Sequence, residues 1–197
     1  CMLRLLCLQK SLASGSAKQV TMYNKIRLLS ILKLMAFILV VIGLYIFGMR
    51  YADGPKGIIR GGPFKTGEPV ESPQDWSFLK GRMEIEFQSF VPDTSRVVWL
   101  AVLDDRLYIV SGYMNMTLGK VWKQWPHRLK NDNRIVLRVD DKLYEQRLKR
   151  LMEHPRLMDL VSIYSEKYGV NWGDGGQDLV QGSLADGDFW LYEVVKR

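Results

Sequence analysis

From Leu34 to Met49 the chain carries no charged residue, and the 22 positions from Leu28 to Met49 carry one, Lys33. No other feature limits the fold as strongly. About 20 consecutive apolar residues make a helix long enough to cross the hydrocarbon core of a bilayer. A lysine near one end can extend its ammonium to the interface. Two other readings compete. A core helix of a soluble domain would show a polar face, and this run has none. A cleaved signal peptide would end at small residues, whereas Arg50 stands two positions before Ala52. The expectation is one retained transmembrane helix over residues 28–50, with the lipid bilayer as its partner.

Residues 1–27 form the N-terminal flank. Met22 is followed by Tyr-Asn-Lys-Ile-Arg and then the apolar run, the way a bacterial membrane anchor begins. Met22 is therefore read as the start, and an authentic extension or a longer parent chain is the alternative. Lys25, Arg27 and Lys33 precede or open the helix, while Arg50, Lys56, Arg60 and Lys65 follow it. The positive-inside bias is slight. The short, purely basic flank favours a cytoplasmic N-terminus, a bacterial inner-membrane location and a domain on the periplasmic side.

The formal net charge of +7 invites a nucleic-acid partner until the charges are located. No Asp or Glu precedes Asp53. Seven of the 28 basic residues lie at or before Arg50, which leaves 21 against all 21 acidic ones. The domain is formally neutral, so nucleic acid is excluded as the expected partner. Both cysteines, Cys1 and Cys7, precede the apolar run, so the domain has no disulfide, thiol nucleophile or thiolate metal site. His127 and His154 are the only histidines, and neither has a second ligand at metal-helix spacing.

Residues 51–75 are rich in glycine and proline and read as an extended linker. It is either a plain tether or a docking segment, since Ile58, Ile59 and Phe64 are apolar for a free linker. Residues 76–197 form the domain. Met83–Phe90 alternates as a strand, Val97–Leu103 reads as a strand buried on both faces, and Asp104-Asp105 turns into Arg106–Tyr113. Arg134–Val139 and Lys142–Leu151 form a second hairpin through Asp140-Asp141. Glu153–Tyr168 is an amphipathic helix capped by Gly169. Asn171–Gly182 reads as a glycine-rich loop and Asp188–Lys196 as the last strand.

The central stretch is Arg106–Tyr144, a strand, a short basic helical segment with Trp122 and Trp125, and a second strand. Lys120, Lys123, Arg128, Lys130 and Arg134 cluster there against Asp132 alone. Such a cluster at the mouth of a β-structure suits a phosphate. The order RLYIVSGY, LGKVWKQWPHRLKNDNRIVLRV, KLYEQRLKRL resembles the pyridoxamine 5′-phosphate oxidase-like split β-barrel family, over Trp76 to Val195. The resemblance implies a mainly β fold, a six-stranded split β-barrel with flanking helices, here preceded by the single N-terminal transmembrane helix.

It further implies FMN as cofactor, held between two subunits of a homodimer. FMN needs cations for its phosphate, an aromatic wall for its ring and polar groups near the reactive edge. Lys120, Lys123 and Arg128 are the phosphate candidates. Ser111 and Gly112 could approach the ring or phosphate, and Trp122 and Trp125 could form the wall. The residues themselves favour core or interface anchors over flavin stackers for these tryptophans. Trp190 and Tyr192 would reach the pocket from a second subunit. The expected function is a membrane-anchored FMN-dependent oxidoreductase. The alternatives are a non-catalytic accessory subunit of a larger membrane complex, with the barrel as a docking or capping module, and a lipid- or quinone-binding module.

Overall fold

The computed structural model describes residues 25, 27–112, 114, 124–170 and 176–197. The described residues divide between Phe47 and Gly48 into two compact units. Helix α1 (Arg27–Tyr51) has 25 residues and is long and apolar enough to cross a membrane. At a rise of 1.5 Å per residue it extends about 37 Å, more than a hydrocarbon core of roughly 30 Å. Its apolar side chains are exposed all round, Leu39 and Leu44 both at 66 %.

The second unit is a β-barrel. Its strands are β1 (Glu68–Val70), β2 (Glu84–Phe90), β3 (Asp93–Leu103), β4 (Arg106–Ser111), β5 (Arg134–Val139), β6 (Lys142–Leu151) and β7 (Trp190–Lys196). Six of them close into an antiparallel ring in the order β2-β3-β4-β7-β6-β5. The closing register runs from Gln146 opposite Lys196 to Leu151 opposite Leu191. Where β7 ends, β1 takes over the same edge of β6, parallel to it, from Glu68 opposite Lys142 to Val70 opposite Tyr144. Two hairpins turn through Asp pairs. Asp104 and Asp105 have φ of 47° and 63°, and Asp140 and Asp141 have 48° and 61°. These are the left-handed values that a two-residue hairpin loop needs and that Asp tolerates.

Strand alternation sorts the side chains into two cores. Ile85, Phe87, Leu100, Ile109, Leu137 and Leu148 point inward with Trp125 and Tyr192. On the outer face Ala101, Tyr108 and Leu191 pack against α3 (Leu157–Tyr168) and α4 (Gly176–Asp186). A four-residue helix, α2 (Trp125–Arg128), begins with Pro126 in its first turn and caps one end of the barrel.

The linker is bound to its own barrel. Gly61 exchanges backbone hydrogen bonds with Ser95, and the Ser95 hydroxyl donates to the Gly62 carbonyl at 2.5 Å. The Phe64 N–H donates to Gln88 Oε1 at 2.7 Å, and the Arg138 guanidinium lies 4.3 Å from the Phe64 ring. The docking reading thus holds for Phe64, with the outer face of β2, β3 and β5 as the dock.

Three expectations change. The glycine-rich stretch expected as a loop is helical from Gly176, because Val180 and Leu184, four apart, bury against the barrel (4 % and 0 % exposed). Helix α3 begins at Leu157 rather than Glu153, since Pro155 disfavours helical backbone at the preceding residue. Strand β3 begins at Asp93 and its Trp99 is exposed, so within the expected Val97–Leu103 span burial on both faces holds only from Leu100.

Candidate anion-binding mouth of the barrel

Two arginines share the inward phase of the core. Arg96 is in step with Val98 and Leu100 on β3, and Arg150 is in step with Leu148 and Tyr144 on β6. Both lie toward the end capped by α2. The Arg96 guanidinium lies 5.5 Å from the Phe87 ring and 5.8 Å from the Trp125 ring. Trp125 meets Phe87 edge-on at 5.0 Å and Tyr192 at 5.6 Å. The Arg150 guanidinium stacks on Trp190 at 3.8 Å. The Trp190 indole N–H donates to the Gly187 carbonyl at 3.2 Å. His127 meets Trp190 edge-on at 4.7 Å, and the Lys130 ammonium lies 5.6 Å from the same ring.

The charges in this mouth are unbalanced. Arg96 donates to the Thr94 hydroxyl at 2.8 Å. The Nε atoms of Arg96 and Arg150 are buried and lack a hydrogen-bond partner. Neither arginine enters an ion pair among the described residues. Burial, with Arg60 and Arg128 nearby, pushes the Arg96 pKa down to about 10. Burial, then Lys130 and Arg150, lowers the His127 pKa. Burial raises the Tyr192 phenol while Arg150 opposes it. A buried donor left unmade costs about 1–3 kcal/mol, more when it is charged. Each of the two Nε donors thus lacks an acceptor within a group of like charges.

The opposite charge pattern occurs at a cavity of about 440 Å³ lined by Asp53, Arg82, Glu84, Glu86, Arg138 and Asp140. Two of its three cations, Arg138 and Arg82, are paired, and Lys56 is the third. Arg138 bonds Asp53 at 2.9 Å and Glu86 at 2.7 Å, and Arg82 pairs with Asp140. Burial works to raise the Asp53 pKa, but hydrogen bonds from the Lys65 N–H, Thr66 and Arg138, with the Arg138 charge, hold it at about 2. Its lining carries five carboxylates against those three cations, so it does not suit an anion.

Of the residues singled out from sequence, Ser111, Gly112 and Arg128 lie at the cationic mouth. Ser111 is 3 % exposed, sits opposite Trp190 in register and donates to Met114 Sδ at 3.3 Å. A Cβ on Gly112 would meet open space, so nothing there requires a glycine. Arg128 is half-buried on α2. Lys120, Trp122 and Lys123 lie outside the described residues. Trp125, Trp190 and Tyr192 are 6 %, 6 % and 2 % exposed inside their own barrel. They are core residues here, not a free stacking wall or arms offered to a second subunit. No group of three or more His, Cys, Asp or Glu could hold a metal among the described residues.

Arg96 and Arg150 were missed from sequence, although the signal was present. Each interrupts an inward apolar phase at a strand end. Starting β3 at Val97 removed Arg96 from that phase. Arg150 read as one more surface cation in KLYEQRLKRL.

No protein-family model matches the chain, and no curated protein matches it. Among solved structures, the crystal structure of the conserved hypothetical protein Rv2991 from Mycobacterium tuberculosis is similar, with 14 % identity and a TM-score of 0.41. The likeness covers 65 % of this chain and 86 % of that one, and at this distance it carries no argument for family or function.

Proposed function

We propose that this chain is a single-pass bacterial inner-membrane protein, held in the bilayer by residues 28–50, with a pyridoxamine 5′-phosphate oxidase-like split barrel on the periplasmic side. The barrel binds FMN through its phosphate and acts as an FMN-dependent oxidoreductase. The observation that carries this is the pair of buried, unpartnered guanidinium Nε atoms of Arg96 and Arg150 in a mouth short of carboxylates. A phosphate supplies the acceptors these donors lack. Arg128, Lys120 and Lys123 add cations on the segment that follows β4, and Ser111 adds a hydroxyl.

These residues would hold the phosphate end of FMN. The ring end does not use Trp125, whose faces are occupied by Phe87, Tyr192 and Arg96. A wall for the ring would come from the segment around Trp122 or from a second subunit in a homodimer. Bound FMN would supply the electron transfer. The protein's part is to hold its phosphate and exclude water from it.

The deciding measurement is the visible spectrum of the full chain in mild detergent, with the mass of any co-eluting ligand. Flavin bands are expected. Arg96→Gln and Arg150→Gln should each weaken FMN binding by about 10- to 100-fold, the worth of one charge-assisted hydrogen bond. A colourless protein that FMN cannot reconstitute sinks the oxidoreductase reading.

One observation favours the accessory-subunit reading. Trp99 is 43 % exposed and stacks on Tyr168 at 4.5 Å and 9°. Neighbouring Met83, whose carbonyl accepts from the Tyr168 hydroxyl at 2.6 Å, is 49 % exposed. An exposed aromatic patch of this kind suits a protein partner. Co-elution of a colourless barrel with other membrane subunits would support it.

A further inference from the structure

The chain that follows α1 makes a small hairpin of its own. Lys56 and Ile59 exchange both backbone hydrogen bonds, at 3.0 and 3.1 Å. Gly57 and Ile58 form the two-residue loop. Gly57 has φ of +56°, the positive value that a loop with glycine at its first position takes. Ile58 at the tip is 98 % exposed, the extreme among the large apolar side chains of this unit. A tight turn would ordinarily carry a polar residue there.

The segment that carries the tip has one sign of charge, although Lys56 also lines the cavity that holds Asp53, Glu86, Asp140 and Asp141. From Gly54 to Gly67 there is no Asp or Glu, while Lys56, Arg60 and Lys65 are present. Lys56 and Arg60 flank the tip and are exposed. Neither forms an ion pair among the described residues. Lys65 is tied back, its ammonium donating to the Tyr51 carbonyl at 2.8 Å. The chain leaving α1 is held against the same loop, since Gly62 packs against the Arg50 and Ala52 carbonyls too closely for any Cβ. Ile58 follows Tyr51 by seven positions, at most about 25 Å of extended chain.

We propose that the Lys56–Ile59 hairpin docks on the anionic phospholipid surface next to the point where α1 leaves the bilayer. Ile58 enters the boundary between headgroups and acyl chains, and Lys56 and Arg60 meet lipid phosphates. An apolar tip between cations is the composition of an interfacial membrane contact. The occupant is set by charge complementarity and by continuity with α1, so the proposal rests on α1 being a membrane anchor.

The test uses the full chain in proteoliposomes, with Cys1 and Cys7 replaced by Ser and a fluorescent label placed either at Ile58→Cys or at Leu39→Cys. Lipids carrying nitroxide quenchers near the headgroup or deep in the acyl region report the depth of each label. Shallow quenching at position 58, weakened in anionic but not in zwitterionic vesicles by Lys56→Gln with Arg60→Gln, is the expected result. Each lost cation should lower the docked-to-free ratio about fivefold. Deep quenching at position 39 with none at position 58 would overturn the docking and leave the anchor standing. Absence of quenching at both positions would remove the anchor and the docking together. Shallow quenching at 58 with none at 39 would remove the anchor and overturn the proposal, since the hairpin would then meet lipid without an adjoining span.

Discussion

Charge at single residues separates the two ends of this barrel. Arg138 is surrounded by Asp53 and Glu86 and needs nothing more. Arg96 and Arg150 face aromatic rings and other cations. His127 adds a pH response to the second end. Its pKa is lowered by burial, Lys130 and Arg150, so an anion bound beside it would raise that pKa. Binding therefore takes up a proton, and affinity is greatest below the depressed free-state value and declines as pH rises through the bound-state one. Sulfate isolates the effect, because phosphate itself titrates near pH 6. Sulfate affinity by calorimetry should strengthen from pH 7.5 to pH 5.5, and His127→Gln should flatten the profile. A flat wild-type profile would place His127 outside the anion's field.

At the level of elements, the second core depends on α4, which holds Val180 and Leu184 on the outer face of the barrel. Gly182 lies within this helix, and a Cβ there would meet no atom within 4 Å. Gly182→Ala should stabilise the fold by about 0.5–1 kcal/mol. For a unit of this size that is a rise in Tm of about 2–4 °C by calorimetry. A fall would mean that the helix end needs glycine's freedom. This helix also marks where sequence reasoning stopped. The strands were legible because their alternation is local and the Asp-Asp turns announce the hairpins. The α4 segment carries glycines at both ends of a short apolar pattern, and its helical state is decided by packing on β4 and β7, which no local pattern encodes. The mouth was half legible for the same reason. Ser111 and Arg128 lie in a visible basic stretch, whereas Arg96 and Arg150 join it only once the ring closes.

For the whole molecule, α1 and the barrel make separate demands. If α1 spans the bilayer, the chain should stay with membranes through alkaline carbonate and high-salt washes, because about 20 apolar residues hold without charge. Replacing Leu39 and Leu44 with Arg should release it; release of the wild type would leave the apolar helix without a spanning role. The closed ring has a different outcome. Among the described residues, β1 is the strand with a partner on one side only, and it is three residues long with Pro69 at its centre. Proline cannot donate to a neighbouring ladder, and short edges template poorly. Copies crowded together in the plane of a membrane reach local concentrations at which an open sheet would zip onto its neighbours. Among its described residues this barrel presents almost no open backbone edge to such a neighbour, so any contact between copies there would be made by side chains.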